Sequence, residues 1–496
     1  MVPNWSFKPP IWTGNTYALL VSDDVNKIPD TKLTDFIEKS DDFPLDFPVQ
    51  TGRCKTLKQY VQDDVLETNI NSAYPIIHEN ALYLYAKYIL YKKYEGNDIE
   101  KAVFANMTLK EFINRLLQKR AVKFMGRFDS FKLLNGAKGT RRWETIGTAQ
   151  QKKPLLLEDY ISYEEIKLSV FLSVSSYTYF VNVGDRKNMA KYATDRNNIA
   201  DTGVIVGLIG TRLKKENVME YQEMVIDKNQ NTKENGYGVS EPNIHNLFAE
   251  FYEEKCMDYE EAVQELKSLP KDNNRYVVID KKTDKIFDNY IYYKRMSLTV
   301  DTLLIEANHR AHEAKTTAFI HVVGLGLGVW RISSHQDKVY MDIFAERLKQ
   351  IGRHLTSISD IVFSYISQPD CGGYKHGQTF KIKDHPGIKI HINKRNPHEK
   401  LKGQDEGKLL VISYAWDGNA LPGNEYWDGK LGSSGDSAAA SSTQITELHN
   451  AHINPKVNAD NLRVATRTGV VSFEEYQELK RIQEMKRKKS VYLGND

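Results

Sequence analysis

Cysteine is scarce in this 496-residue chain: Cys54, Cys256 and Cys371 stand far apart and are odd in number. Neither a disulfide framework nor a zinc knuckle is expected, and a reducing compartment fits. Long apolar runs are also absent. No stretch approaches the roughly 18 consecutive apolar residues of a membrane span, and the opening MVPNWSFKPPIW has no basic segment leading into an apolar one. The expectation is a cytoplasmic protein without a membrane partner. Net charge is missing too, because 68 Lys and Arg against 65 Asp and Glu leave only +3. That balance gives no global field for nucleic acid, so no nucleic-acid partner is expected without a local patch. HExxH, GxSxG and P-loop patterns do not occur, and no base partner is evident for Ser433, Ser434, Ser441 or Ser442.

What remains is an ordinary globular composition, 41% hydrophobic and 27% charged, with 28 tyrosines. The length exceeds one usual hydrophobic core, and four segments are expected. Residues 1–65 read as extended chain with a short helix. Residues 66–295 read as an α+β region, either a substrate-recognition module or integral to the catalytic fold. Residues 296–465 are the candidate catalytic domain, and 466–496 a basic C-terminal helix. Helical spacing runs from Asp64 to Tyr94 with Pro75 in a first turn, and Thr108 with Glu111 form a capping-box pattern for another helix. Strands are expected at Val170–Val183, Val204–Ile209 and Tyr221–Ile226. From Leu298 helices alternate with apolar strands such as AFIHVV and LLVISYAW, which supports an α/β fold with helices flanking a sheet. Ser472 and Glu475 start the last helix, whose basic end complements its dipole.

Two loops carry the candidate chemistry. From Tyr414 to Ser442 the carboxylates Asp417, Glu425, Asp428 and Asp436 share a segment with Gly418, Asn419, Gly423 and Asn424 after a buried strand. Such carboxylates can take a proton from water, stabilise an oxocarbenium-like sugar carbon or hold a guanidinium, all of which suit glycosidic cleavage. Only proximity recommends Asp428. A hard divalent cation ranks lower because no compact DxD spacing occurs, and no metal ligand is assigned. The second loop is HVVGLGLGVWR, in which Gly324, Gly326 and Gly328 alternate with Leu325, Leu327 and Val329 ahead of Trp330. Glycines there would let backbone amides approach a pyrophosphate, with a following helix N-terminus adding its dipole, and Trp330 could cover a ribose or base. The spacing departs from GxGxxG, and glycine turns also serve packing alone. His449 and His452 read as structural.

The combination HVVGLGLGVW, YAWDGNALPGNEYW, GSSGDSAAASS and ELHNAHINP resembles the MavL-like group of macrodomain proteins, over most of residues 60–460. That resemblance implies a macrodomain-like three-layer α/β/α domain that binds ADP-ribose and removes it from modified arginine on a protein such as ubiquitin, with no cofactor required. It implies catalytic roles for Asp417, Glu425 and Asp436. It places ADP-ribose against Gly324–Trp330 and against Gly418, Asn419, Gly423 and Asn424. Glu425 stands where some members carry aspartate. The glycine-rich turn precedes the acidic loop by about ninety residues, whereas in ordinary macrodomains the ribose-side catalytic loop comes first. The alternatives are a non-catalytic ADP-ribose reader and a metal-dependent nucleotide or phosphoester hydrolase.

Overall fold

The apolar runs converge on one mixed sheet. In the computed structural model, which describes residues 3, 5–280 and 282–493, its strands are β1 (Tyr74–His78), β2 (Leu172–Tyr179), β3 (Thr202–Leu208), β4 (Ala318–Val322), β5 (Ile358–Ser364), β6 (Thr379–Phe380), β7 (Ile388–Asn393), β8 (Leu409–Ala415), β9 (Arg463–Thr466) and β10 (Gly469–Ser472). Their order across the sheet is β6-β7-β5-β4-β8-β3-β2-β1-β9-β10. The centre, β7-β5-β4-β8-β3, is parallel throughout, and β2 runs against both β3 and β1. Parallel strands need cover on both faces and so read as unbroken apolar runs. Accordingly Val204, Ile205, Val206, Ile320, Ile361, Val362 and Val411 are fully buried.

Helices α1 (Glu79–Glu95), α2 (Leu109–Gln118), α3 (Asn289–Glu313), α4 (Gln336–Ile351), α5 (Gly435–Ala440) and α6 (Phe473–Leu493) pack around it. The capping boxes expected at Thr108 and Ser472 are formed. Helix α3 is buried without a break from Ile291 to Ala307, and a helix buried on all sides must pair its charges. Glu306 does so, accepting from Tyr74 Oη at 2.9 Å, Ser175 Oγ at 2.6 Å and Arg310 Nε at 2.8 Å, which locks α3 onto β1 and β2. Asp301 pairs with Arg347 of α4 at 2.7 Å. Strands from both sides of residue 295 share the sheet, and α3 runs through that position. Among the described residues no helix is long and apolar enough to cross a membrane.

Two elements differ from expectation. Pro75 lies in β1, not in a helical first turn, because the YPIIH run is buried on every residue and pairs on both sides. Proline is tolerated there because pairing with β9 begins only at Ile76. Tyr221–Ile226 forms a single helical turn, Tyr221–Met224, before a two-residue strand. That turn directs Glu223 onto Lys167 at 2.6 Å. The N-terminal stretch is also more helical than expected, with helices at Gly14–Ser22, Leu33–Asp41 and Cys54–Leu57 burying Leu20, Phe36 and Leu57.

Chain order fixes where ligands are met. From β4 the chain moves outward to β5 and β7, then β8 returns on the opposite side of β4, next to β3. A crevice opens at such a reversal, outside the carboxyl ends of the strands. The loops that leave β4, β8 and β3 therefore share one edge. They pack closely: a Cβ on Gly210 would stand 2.1 Å from the Gly326 amide nitrogen, and Gly326 itself holds φ +71 against Thr211. Gly210→Ala is expected to lower stability by about 1–3 kcal/mol in urea unfolding. Gly328→Ala, where an added Cβ meets nothing within 4 Å, is the control and should change stability by less than about 0.5 kcal/mol.

Candidate active site

Strand β8 is buried from Leu410 to Tyr414, and the chain leaves the sheet through Trp416 into Asp417. One carboxylate then closes the loop that follows. Asp436 accepts the Asp417 amide at 3.0 Å and the Gly423 amide at 2.9 Å, so it pins both ends of residues 417–423. Gly423 permits that return at φ +103. Asp436 is 1% exposed and sits in the first turn of α5. The helix cap is Ser434, not Asp436: Ser434 Oγ accepts from the Ser437 amide and donates to Glu425 Oε2 at 2.6 Å. Asp436, Ser434 and Glu425 are thus all held by the start of one short helix.

Asp417 is partly buried, and its two oxygens have different surroundings. Oδ2 accepts from Asn424 Nδ2 at 2.6 Å, whereas Oδ1 accepts from nothing among the described residues. Asn424 is fully buried and also bonds the Phe124 backbone in both directions, at 2.8 and 3.0 Å. Burial, then the Glu425 charge, push the Asp417 carboxyl up to about 7 against the pull of Arg212, Asn424 and the Asn419 amide. Asp436 is pushed well above the usual carboxylate range by the same two causes, against its two amide donors.

Two buried guanidinium groups lie behind the loop. Arg212, four residues past β3, donates from Nη1 to Asn419 Oδ1 and from Nη2 to the Ile166 carbonyl at 2.6 Å. Its own amide is held by Glu220 at 3.0 Å, and Glu220 pairs with Arg295 of α3. Arg120 donates to the Gly418 carbonyl at 2.6 Å and lies 4.3 Å over the Trp416 ring. Their direct bonds go to carbonyls and to Asn419, so the carboxylates feel their fields without being paired by them. In the sequence Arg212 is one charge in a strand-rich segment, and nothing there marks Arg120.

The glycine-rich turn lies on the neighbouring strand. The Val323 amide donates to Ser413 Oγ of β8 at 3.2 Å, and Tyr340 Oη of α4 donates to the Val323 carbonyl at 3.0 Å. Leu325 is buried and anchors the turn, Gly328 and Val329 are exposed, and Leu327 and Trp330 are partly buried against the core. The amides of Gly326, Gly328 and Val329 make no backbone hydrogen bond among the described residues. No helix starts directly after the turn, because α4 begins only at Gln336, whose side chain takes the Ile332 and Ser333 amides at 3.0 Å. The anion-binding potential here is that of free loop amides. Asp428 is exposed and pairs with Lys123 at 2.7 Å. His449 is buried between Ser176 and Tyr414, and His452 bonds the Gln118 carbonyl. Among the described residues no three His, Cys, Asp or Glu side chains converge as a metal's ligands would.

This arrangement can accept a cation beside Asp417 and an anion at the turn. The sequence profile of the family described as ADP-ribosylhydrolase MavL-like matches residues 34–479. Two Drosophila melanogaster proteins are similar along most of their length. ADP-ribosylarginine hydrolase CG2909 is 42% identical over 461 residues, covering 90% of this chain and 89% of the fly protein. ADP-ribosylarginine hydrolase CG3568 is 39% identical over 448 residues, covering 88% and 86%.

A carboxyl whose folded-state pKa lies above its unfolded value binds its proton more tightly when folded. It supports the fold fully below about pH 4, and that support is lost as pH rises through about 7. Asp417→Asn, which cannot ionise, should therefore gain stability over the parent by roughly 1 kcal/mol per pH unit between pH 5 and 7. Denaturant unfolding across that range measures the difference, and an offset independent of pH would contradict it.

Proposed function

The chain belongs to the MavL-like ADP-ribosylhydrolase family, and from that premise we propose that it removes ADP-ribose from modified arginine on a protein by carboxylate-assisted hydrolysis of the N-glycosidic bond. The reading places the pyrophosphate on the free amides of the turn Gly324–Gly328, beside Trp330. The distal ribose then meets Gly418, Asn419, Gly423 and Asn424, with Asp417 and Glu425 at the anomeric carbon. Ubiquitin carrying ADP-ribose on arginine is the protein substrate to test first. We take the fold to be macrodomain-like, with residues 66–295 integral to it, because their strands share the sheet with those of the site.

The observation that carries the reading is Asp417: one oxygen fixed by Asn424, the other unpaired, in a carboxyl pushed up to about 7. A base is most effective when its pKa lies near the working pH. An arginine that carries ADP-ribose is itself cationic, so its guanidine departs as a neutral group without needing a strong acid. As the C–N bond breaks, positive charge develops on the anomeric carbon, and the neighbouring carboxylates stabilise it. Water adds to that carbon, its proton passes to a carboxylate, and the departing guanidine finally takes it up. Asp436 acts by position, holding the Asp417 and Gly423 amides.

Asp417→Asn and Glu425→Gln are each expected to lower kcat on ADP-ribosyl-arginine by about 10²-fold or more, while calorimetric affinity for ADP-ribose stays within about fivefold. Binding without turnover in the parent protein would instead identify a reader. For the parent, kcat/KM should rise with pH through about 7, as Asp417 loses its proton.

A further inference from the structure

The near-zero net charge hides a local excess. Between residues 119 and 153, ten Lys and Arg side chains stand against only Asp129 and Glu144. The segment forms a small antiparallel sheet from Lys123–Met125, Ser130–Lys132 and Lys138–Gly139. Lys132 is registered against Lys138, a like-charge pairing that costs stability. Arg127, Lys138, Arg141, Arg142, Lys152 and Lys153 are exposed and form no ion pair among the described residues. Asp129 is already taken by Lys215 and by Tyr163 Oη. Arg141 and Arg142 also hold φ +60 and +65, a region that strains residues with side chains.

Next to this hairpin lies a cleft of about 510 Å³, walled by Lys119, Arg120, Asn135, Lys153, Tyr160 and His452, with Asp159 the one acidic group among its lining residues. Arg120 is 2% exposed, and its Nη2 has no hydrogen-bond acceptor among the described residues. Its Nη1 holds the Gly418 carbonyl of the candidate site. The hairpin is coupled to the same site through Asn424, which bonds both Phe124 and Asp417. A chain seated in the cleft would therefore lie next to the acidic loop.

We propose that this cleft and hairpin dock an acidic segment of the modified protein, whose carboxylates pair with Lys119, Lys153 and the exposed hairpin cations while its ADP-ribosyl-arginine reaches Asp417. The inference rests on the hydrolase reading above. Charge complementarity selects an acidic partner, and the buried Arg120 guanidinium adds its field to the wall of the cleft. Nucleic acid fits less well, because single strands need aromatic faces to stack on. Phe128, an exposed aromatic on this surface, already has the Arg127 and Arg141 guanidinium groups 5.7 and 4.7 Å from its ring.

The test uses the full chain with three substrates: ADP-ribosyl-arginine alone, and peptides carrying it among acidic or among neutral residues. At low ionic strength the acidic peptide should show a KM about tenfold below the neutral one, with the gap closing at high salt. A triple variant, Arg127→Glu, Lys138→Glu and Lys153→Glu, should raise the acidic peptide's KM about tenfold and leave kcat, and turnover of ADP-ribosyl-arginine, within about twofold. Equal KM values for the two peptides overturn the proposal, as does equal slowing of the small substrate and the peptide. An oligonucleotide of matched charge that competes more strongly than unmodified acidic peptide overturns it in favour of a nucleic-acid surface. If the parent protein cleaves none of the three substrates, the hydrolase reading has failed. Fluorescence anisotropy of the unmodified acidic peptide then decides the docking surface: binding that the triple variant loses supports it, and no binding overturns it.

Discussion

Asp436 accepting two backbone amides is the constraint on which the site depends. A loop leaving a parallel strand carries several donors with no partner, and burying them unpaired is costly. Asp436 satisfies the amides of Asp417 and Gly423 with one side chain, so the chain turns back on itself within a few residues. The same short helix that carries Asp436 supplies Ser434, which fixes Glu425. Three carboxylates are thereby brought together by backbone geometry, with no cation paired to any of them among the described residues. Their mutual repulsion is the second cause, after burial, of the upward displacement of Asp417 and Asp436.

Arg120 and Arg212 explain how the fold tolerates that repulsion. Each is buried, and the hydrogen bonds each makes go to carbonyls or to Asn419. They stabilise the loop's negative charge from behind without pairing it in front. A guanidinium arriving at the loop would supply the missing countercharge to Asp417, whose buried Oδ1 has no hydrogen-bond donor among the described residues. An ion pair already closed within the chain would have removed that vacancy, since a satisfied buried carboxylate gains little from a second partner.

The sequence was most informative where burial leaves a one-dimensional trace. The runs AFIHVV and LLVISYAW are buried on both faces of the sheet and were readable as strands, and the capping boxes at Thr108 and Ser472 were readable from three-residue spacing. The acidic loop stood out because glycines and carboxylates cluster there. What was hidden depends on pairing between distant segments. Pro75 belongs to a strand because β2 and β9 meet β1 from elsewhere in the chain. Arg120 reaches Gly418 across 298 positions, and Arg212 reaches Asn419 across 207. The basic hairpin is hidden for another reason: a charge summed over the whole chain cancels a patch confined to 35 residues.

The order of the two loops along the chain stops being an obstacle once the sheet is known. β4 and β8 are parallel neighbours, registered from Ala318 with Leu409 to His321 with Ile412, so their carboxyl ends lie side by side whichever comes first. What a ligand meets is set by that adjacency and by the sign of the charge at each point: free amides at the turn, carboxylates on the loop, and unpaired cations on the hairpin. A diphosphate, a guanidinium and an acidic flank would be drawn to those three places in turn. Reversing any one of them would set like charge against like, so the arrangement discriminates by orientation as well as by affinity.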